Sequence, residues 1–185
     1  MQTSLSLLGR LAAVPGDDDW SRLHDLYRPL LRAWAARAGV AGADADDLAQ
    51  DVLLVVFREV GGFERRGPGA FRGWLRAILA NRLRDHFRKA SRAPALADLD
   101  DLESPGSALS ARWDREHDEH VVAQLLRQAE AHFTPATWRA FRRHVLEGEP
   151  AARVAGELGL SVNSVLLAKS RVLKRLRGEL DGLVE

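Results

Sequence analysis

FRGWLRAILANRLRDHFRK, residues 71–89, is the stretch on which the reading of the whole chain turns. Phe71, Trp74, Leu75, Ile78, Leu79, Leu83 and Phe87 recur at steps of three and four, the spacing that lines one face of an α-helix. At 1.5 Å per residue such a helix is about 28 Å long. Asn81, Arg84, Asp85 and Arg88 keep the same spacing on another face. Arginine forks onto a phosphate or a guanine edge, and asparagine pairs bidentately with adenine, so this face suits nucleic acid. A solvated face in which Asp85 compensates Arg84 and Arg88 has the same pattern. The stretch by itself leaves both readings open.

The 185 residues suffice for one large domain or two small ones. A hydrophobic content of 46%, rich in Ala and Leu and poor in β-branched runs, predicts an all-α protein. The formal net charge is only +1, but its distribution is uneven. Residues 63–92 carry nine Arg or Lys against two acids, and residues 161–178 carry five against none. Residues 98–120 reverse this, with eight acids against two arginines. Such blocks mark surfaces with different partners. The absence of cysteine excludes a disulfide framework, a thiolate metal site and a thiol nucleophile, and fits a cytoplasmic protein. The opening MQTSLSLLGRLAAVPG lacks a charged leader and is broken by Arg10, so it reads as an amphipathic first helix rather than a signal peptide. No run approaches the roughly 18 apolar residues that span a bilayer, and no membrane insertion is expected.

Trp20, Leu23, Leu26, Tyr27, Leu30, Leu31 and Trp34 keep helical spacing, with Pro29 predicting a kink or a break into two shorter helices. Asp44 is a candidate N-cap, with Asp47 three residues on, for a helix over residues 45–60. Its apolar run at residues 52–57 is also compatible with a strand, but the cap and the polar turn before it favour a helix covered on nearly every side. Gly61-Gly62 and Gly67-Pro68-Gly69 bracket a loop displaying Phe63, Arg65 and Arg66. Residues 91–118, with prolines, a Ser-Pro-Gly and the acidic block, read as a flexible linker. Fully extended, they would reach roughly 100 Å. The expected organisation is therefore a helical domain over residues 1–90, the linker, and a second helical domain over residues 119–185.

In that second domain Thr134-Pro135 is a helix start, the hydroxyl capping and the proline at the first helical position. Residues 151–180 follow a helix-turn-helix pattern: apolar Val154, Leu158, Leu160 and Val165, small Ala155 at the crossing, and Gly159 at the turn. Ser161 caps the last helix. A helix inserted by its first turns into a major groove places Ser161, Asn163, Ser164, Leu166, Leu167 and Ser170 near base edges, while Lys169, Arg171, Lys174, Arg175 and Arg177 meet phosphates. A plain helical hairpin has the same glycine turn. Asp44, Asp46, Asp47 and Asp51 are the candidates for a divalent metal, but no second carboxylate or histidine cluster matches them, and no His-Glu-x-x-His spacing occurs. No catalytic residue, metal or cofactor is expected.

Taken together, the two halves resemble a bacterial RNA polymerase sigma factor of the extracytoplasmic-function (ECF) type. DADDLAQDVLLVVFREVGGF resembles the family's polymerase-docking helix, residues 71–89 its helix at the minus-ten element, and PAARVAGELGLSVNSVLLAKSRVLKRLRGEL its domain for the minus-thirty-five element. The resemblance implies a region 2-type helical bundle and a region 4-type helix-turn-helix, joined by the acidic linker. It implies that Asp46, Asp47, Gln50 and Asp51 contact the beta-prime clamp of core RNA polymerase and that the second domain meets the beta flap. Phe63, Arg65 and Arg66 would hold a flipped base and the displaced strand, and Asn81, Arg84 and Arg88 the minus-ten DNA. The minus-thirty-five element would fall to Ser161, Asn163, Ser164, Leu166, Leu167, Ser170, Arg171, Lys174 and Arg175. An anti-sigma factor is a further possible partner. Leu166, Leu167 and Ala168 depart from the basic and hydroxyl residues common in the family there, and leucines suit thymine methyls or a packing surface. The expectation is a non-enzymatic promoter-specificity factor. Its rivals are a stand-alone helix-turn-helix regulator with an N-terminal sensor or dimerisation domain, and a helical adaptor without DNA.

Overall fold

The computed structural model describes residues 6–13, 16–91 and 99–184. Among these residues every regular element is helical: α1 (Leu7–Ala13), α2 (Asp17–Arg37), α3 (Ala43–Glu59), α4 (Ala70–Lys89), α5 (Leu99–Glu103), α6 (Ala108–Glu130), α7 (Pro135–Phe141), α8 (Ala151–Leu158) and α9 (Val162–Leu180). They form two compact units, residues 1–122 with 180–185, and Ala123–Glu179.

The first unit is built on the apolar stripe of α4. Phe71, Leu75, Ile78, Leu79, Leu83 and Phe87 are buried, and Trp74 is half-buried. They meet α3 through Leu48, Ala49, Val52 and Val56, and α3 in turn packs on Tyr27, Leu31 and Trp34 of α2. α2 is one continuous helix through Pro29, so of the kink or break the proline predicts, the break does not occur. Pro29 is exposed, so its ring costs one backbone bond, while buried Leu26, Tyr27, Leu30 and Leu31 anchor both flanks in the core. α3 begins two residues earlier than expected, with Gly42 (φ 60°) and not Asp44 at the N-cap. Asp44 and Asp46 instead lie in the first turn, where they complement the helix dipole. Nor is α3 covered on every side, because Leu54 and Phe57 are 45% and 53% exposed.

The largest correction concerns the linker expected over residues 91–118. Residues 92–98 lie outside the described residues, but α5 and the first half of α6 are helical and part of the first unit. Ser110, Trp113, His117 and Val121, at steps of three and four, are all buried. Trp113 meets Trp34 edge-on at 5.3 Å and donates from Nε1 to the Arg72 carbonyl at 3.1 Å. Arg76, buried on α4, donates to Asp114 at 3.0 Å. Four of the acidic residues that make the segment look like a tether, Asp100, Glu103, Asp114 and Asp118, are ion-pair partners of α4, and Glu116 pairs with Arg37 of α2. Residues 180–184 also complete this unit: Leu183 is fully buried, and Arg72 Nη1 donates to the Val184 carbonyl at 3.0 Å. Gly182 (φ 84°) permits this, since a Cβ there would lie 3.3 Å from Leu8 Cδ1.

In the second unit α7 starts as expected, the Thr134 hydroxyl accepting from the Thr137 backbone N–H with Pro135 behind it. Its helix ends in a π-turn over Arg142–Leu146. α8 and α9 close a small core of Ala140, Val154, Ala155, Val165 and Ala168. Gly159 takes φ 64° at the turn between them, which a side chain would strain.

Candidate nucleic-acid interface

The acidic face of α3 divides in two. Asp46 is held by α2, accepting from Arg28 Nη2 at 2.8 Å and Arg32 Nε at 3.1 Å. Asp47, Gln50 and Asp51 are exposed. Asp44, Asp47 and Asp51 line a groove of about 240 Å³ whose opposite wall is Arg82, Asp85, His86 and Lys89 of α4. Beside it lies an apolar patch that sequence reasoning missed as a surface: Trp20, Leu23, Leu53, Leu54 and Phe57, with the Trp20 and Phe57 rings 4.4 Å apart. The signal was present, for Gln50, Leu54 and Phe57 follow helical spacing on the face that carries Asp47.

In the glycine-bracketed loop Phe63 is half-buried, its ring 4.9 Å from Trp74 in a tilted contact and 5.7 Å from Phe71 edge-on. Trp74 extends that aromatic surface. Arg65 donates to Asp181 at 2.7 Å, and Arg66 pairs with Glu64 at 2.9 Å while remaining 83% exposed. On α4 the helix brings Asn81, Arg84 and Arg88 to one side, and each is engaged. Arg84 donates to Asn81 Oδ1 at 3.0 Å, to Asp100 at 2.6 Å and to the Leu99 carbonyl at 3.3 Å, and it pairs with Glu103 at 2.5 Å. The Glu103 carboxylate first, and Asp100 after it, push the Arg84 pKa above its ordinary value against the opposing effect of partial burial. Arg88 pairs with Asp85 at 2.7 Å.

In the second unit the inward stripe of α9 is Val165, Ala168, Val172 and Leu176. At 100° per residue the opposite side carries Asn163, Leu167, Ser170 and Lys174, with Leu166 on its flank. All five are exposed, Leu166 and Leu167 by 46% and 45%. Leu166, Lys169, Ser170, Lys174 and Arg177 line a shallow groove along the helix. Ser161 caps α9, accepting from the Ser164 N–H at 3.0 Å and bonding the Ser164 hydroxyl at 2.8 Å. Arg171 is exposed, whereas Arg175 lies 4.0 Å from Glu179. The scaffold under this helix is fixed by Arg143, which donates to both Glu149 oxygens at 2.7 and 2.6 Å and to Glu157 at 2.5 Å.

No group of three or more His, Asp or Glu side chains able to hold a metal occurs among the described residues, and no described helix is long and apolar enough to cross a membrane. A helical bundle with an arginine- and asparagine-bearing helix, followed in the chain by a glycine-turned helix pair whose second helix is basic, is an architecture found among helical DNA-binding transcription factors. Residues 23–93, which run from within α2 past the end of α4, match the Sigma-70 region 2 family. The chain is 29% identical over 179 residues to the ECF RNA polymerase sigma factor SigD of Mycobacterium tuberculosis, covering 91% of this chain and 80% of the relative. It is also 29% identical over 172 residues to SigE of Mycolicibacterium smegmatis, covering 91% of this chain and 63% of that protein. The chain is thus similar to sigma factors of the extracytoplasmic-function type, with the Sigma-70 region 2 match confined to residues 23–93.

Proposed function

We propose that the protein directs core RNA polymerase to specific promoters and assists their opening, acting in the cytoplasm and leaving RNA synthesis to the core enzyme. The observation that carries this reading is the coincidence, within the Sigma-70 region 2 match, of an exposed carboxylate face, a glycine-bracketed aromatic loop and an Asn81/Arg84/Arg88 face. Asp47, Gln50 and Asp51 dock the beta-prime clamp, and Asp46 anchors them through Arg28 and Arg32. Asn81, Arg84 and Arg88 meet minus-ten DNA. Phe63, extended by Trp74, offers a stacking platform for an unpaired base, with Arg65 and Arg66 beside it, and base–aromatic stacking contributes roughly 1 to 3 kcal/mol. The second unit meets the minus-thirty-five element through Ser161, Asn163, Ser164, Leu166, Leu167, Ser170, Arg171, Lys174 and Arg175, and the beta flap with the remainder of its surface. An anti-sigma factor that covers either DNA face would silence it.

The test is run-off transcription with purified core polymerase on promoter fragments selected by the holoenzyme. Promoter-dependent transcripts are expected, and Asp47→Arg is expected to weaken core binding at least tenfold with unchanged helix content by circular dichroism. Absence of both a core complex and a transcript would overturn the reading in favour of a regulator that binds DNA alone.

A further inference from the structure

α5 is five residues long, too short to persist as an isolated helix, and is held by the buried side chains of Leu99 and Leu102. This anchorage sets its two carboxylates, Asp100 and Glu103, on the Arg84 guanidinium from the side that also carries Asn81. A guanidinium presents its N–H donors in a planar fork, and a carboxylate and a phosphate oxygen pair compete for the same fork. Asp100, Glu103 and the Leu99 carbonyl all converge on Arg84 Nη2 while Nη1 donates to Asn81, so the Nη2 end of the fork is not open to a DNA phosphate while α5 stays in place. Asp100 is 81% exposed at the side chain, and part-exposed ion pairs are individually weak, so a polyanion is able to displace α5.

We propose that α5 is an intramolecular latch: Asp100 and Glu103 occupy the place of a DNA phosphate on Arg84, and the minus-ten face opens only when α5 is displaced. This rests on the assignment of Asn81, Arg84 and Arg88 to promoter DNA. In the latched chain the acidic block acts as a substitute ligand. Exchange of α5 for DNA frees two carboxylates and transfers Arg84 to the phosphate backbone, with no change in any covalent bond.

The experiment uses the full chain without core polymerase and a fluorescein-labelled single-stranded 20-mer of mixed sequence, read by anisotropy across a salt series. Asp100→Asn/Glu103→Gln keeps the size and packing of α5 and removes its charge. It is expected to bind roughly fivefold more tightly, within what two part-exposed ion pairs allow. The slope of log K against log salt should steepen by about 0.7, the value for one added phosphate contact on a single strand. Adding Arg84→Ala should abolish the gain. Glu59→Gln/Glu119→Gln makes the same change of net charge at exposed acids elsewhere and should leave affinity within about twofold, since distant surface charges are screened. A latch variant no tighter than this control overturns the proposal. The underlying face is tested separately, by Arg84→Ala in promoter-dependent transcription with core polymerase. Loss of transcription there with no gain in the latch variant rejects the latch alone, whereas unchanged transcription rejects the face and the latch together.

Discussion

Leu167 stands between Asn163 and Ser170 on the outward side of α9, where most helices of a small domain place charge. An apolar side chain in that position has one favourable partner in a major groove, the C5-methyl of thymine. Replacing thymine by uracil in the minus-thirty-five half of a selected promoter deletes that methyl and nothing else. Holoenzyme should then bind about fourfold less tightly, which corresponds to the ~0.8 kcal/mol of one buried methylene-sized group. Leu167→Ala should be weaker on thymine DNA and indifferent to the exchange, with Leu166→Ala as the comparison. Equal sensitivity in all three proteins would remove both leucines from base reading. The sequence marks these leucines as out of place but not whether another segment covers them. That depends on the rotation of α9 about its own axis, which the Val165, Ala168, Val172 and Leu176 stripe sets.

At the scale of elements, helices with an uninterrupted apolar stripe were legible, and α4, α7, α8 and α9 lie close to where spacing and caps place them. α6 was not. Its inward residues Ser110, Trp113, His117 and Val121 are separated by Asp, Arg, Glu and His, and two of the four are themselves polar, so the stripe is hidden in an acidic block. The same helix holds a buried polar chain whose members are far apart in sequence. The Tyr27 hydroxyl lies 3.1 Å from His117 Nε2, and His117 Nδ1 lies 2.9 Å from Asp118. Burial first, and the Asp118 charge second, push the Tyr27 pKa well up, so the hydroxyl keeps its proton and donates to Nε2. Burial likewise pushes the His117 pKa down, against the Asp118 bond, and the ring is held neutral. In the unfolded chain the ring takes a proton near pH 6.5, whereas in the folded chain it resists until lower pH. Stability is therefore complete above about pH 6.5 and is lost progressively as pH falls below it. His117→Gln should lower Tm at pH 7.5, because it disturbs the Tyr27 bond, yet flatten the fall of Tm between pH 7.5 and 5.5. A change of ~1 kcal/mol moves Tm by roughly 2–4 °C at this chain length, within reach of calorimetry. A variant whose Tm falls as steeply as that of the parent would show that other groups govern the acid limb.

For the whole molecule, a net charge of +1 conceals two different electrostatic arrangements. In the first unit six arginines of the basic block are matched inside the fold: Arg65 with Asp181, Arg66 with Glu64, Arg72 with Asp118, Arg76 with Asp114, Arg84 with Asp100 and Glu103, Arg88 with Asp85. Along α9 no ion pair joins Lys169, Arg171, Lys174 or Arg177 among the described residues. Charge counting from sequence found both basic blocks but could not separate them, because the acids that neutralise the first lie up to 116 residues away. The difference is measurable through counterion release. A cation without an internal partner that meets a duplex phosphate contributes about 0.9 to the slope of log K against log salt, whereas one leaving a carboxylate partner exchanges one anion for another and contributes less. In holoenzyme binding to promoter DNA, Lys174→Ala should reduce the slope by about 0.9 and weaken all sequences alike. Arg88→Ala should reduce it by clearly less, because Asp85 already sits 2.7 Å from its guanidinium. The two residues lie on separate units and share no partner, so the double variant should show the sum of the single effects. An Arg88 effect as large as that of Lys174 would mean that Asp85 does not hold Arg88 in solution, and an unchanged slope in Lys174→Ala would take α9's outward face off the phosphate backbone.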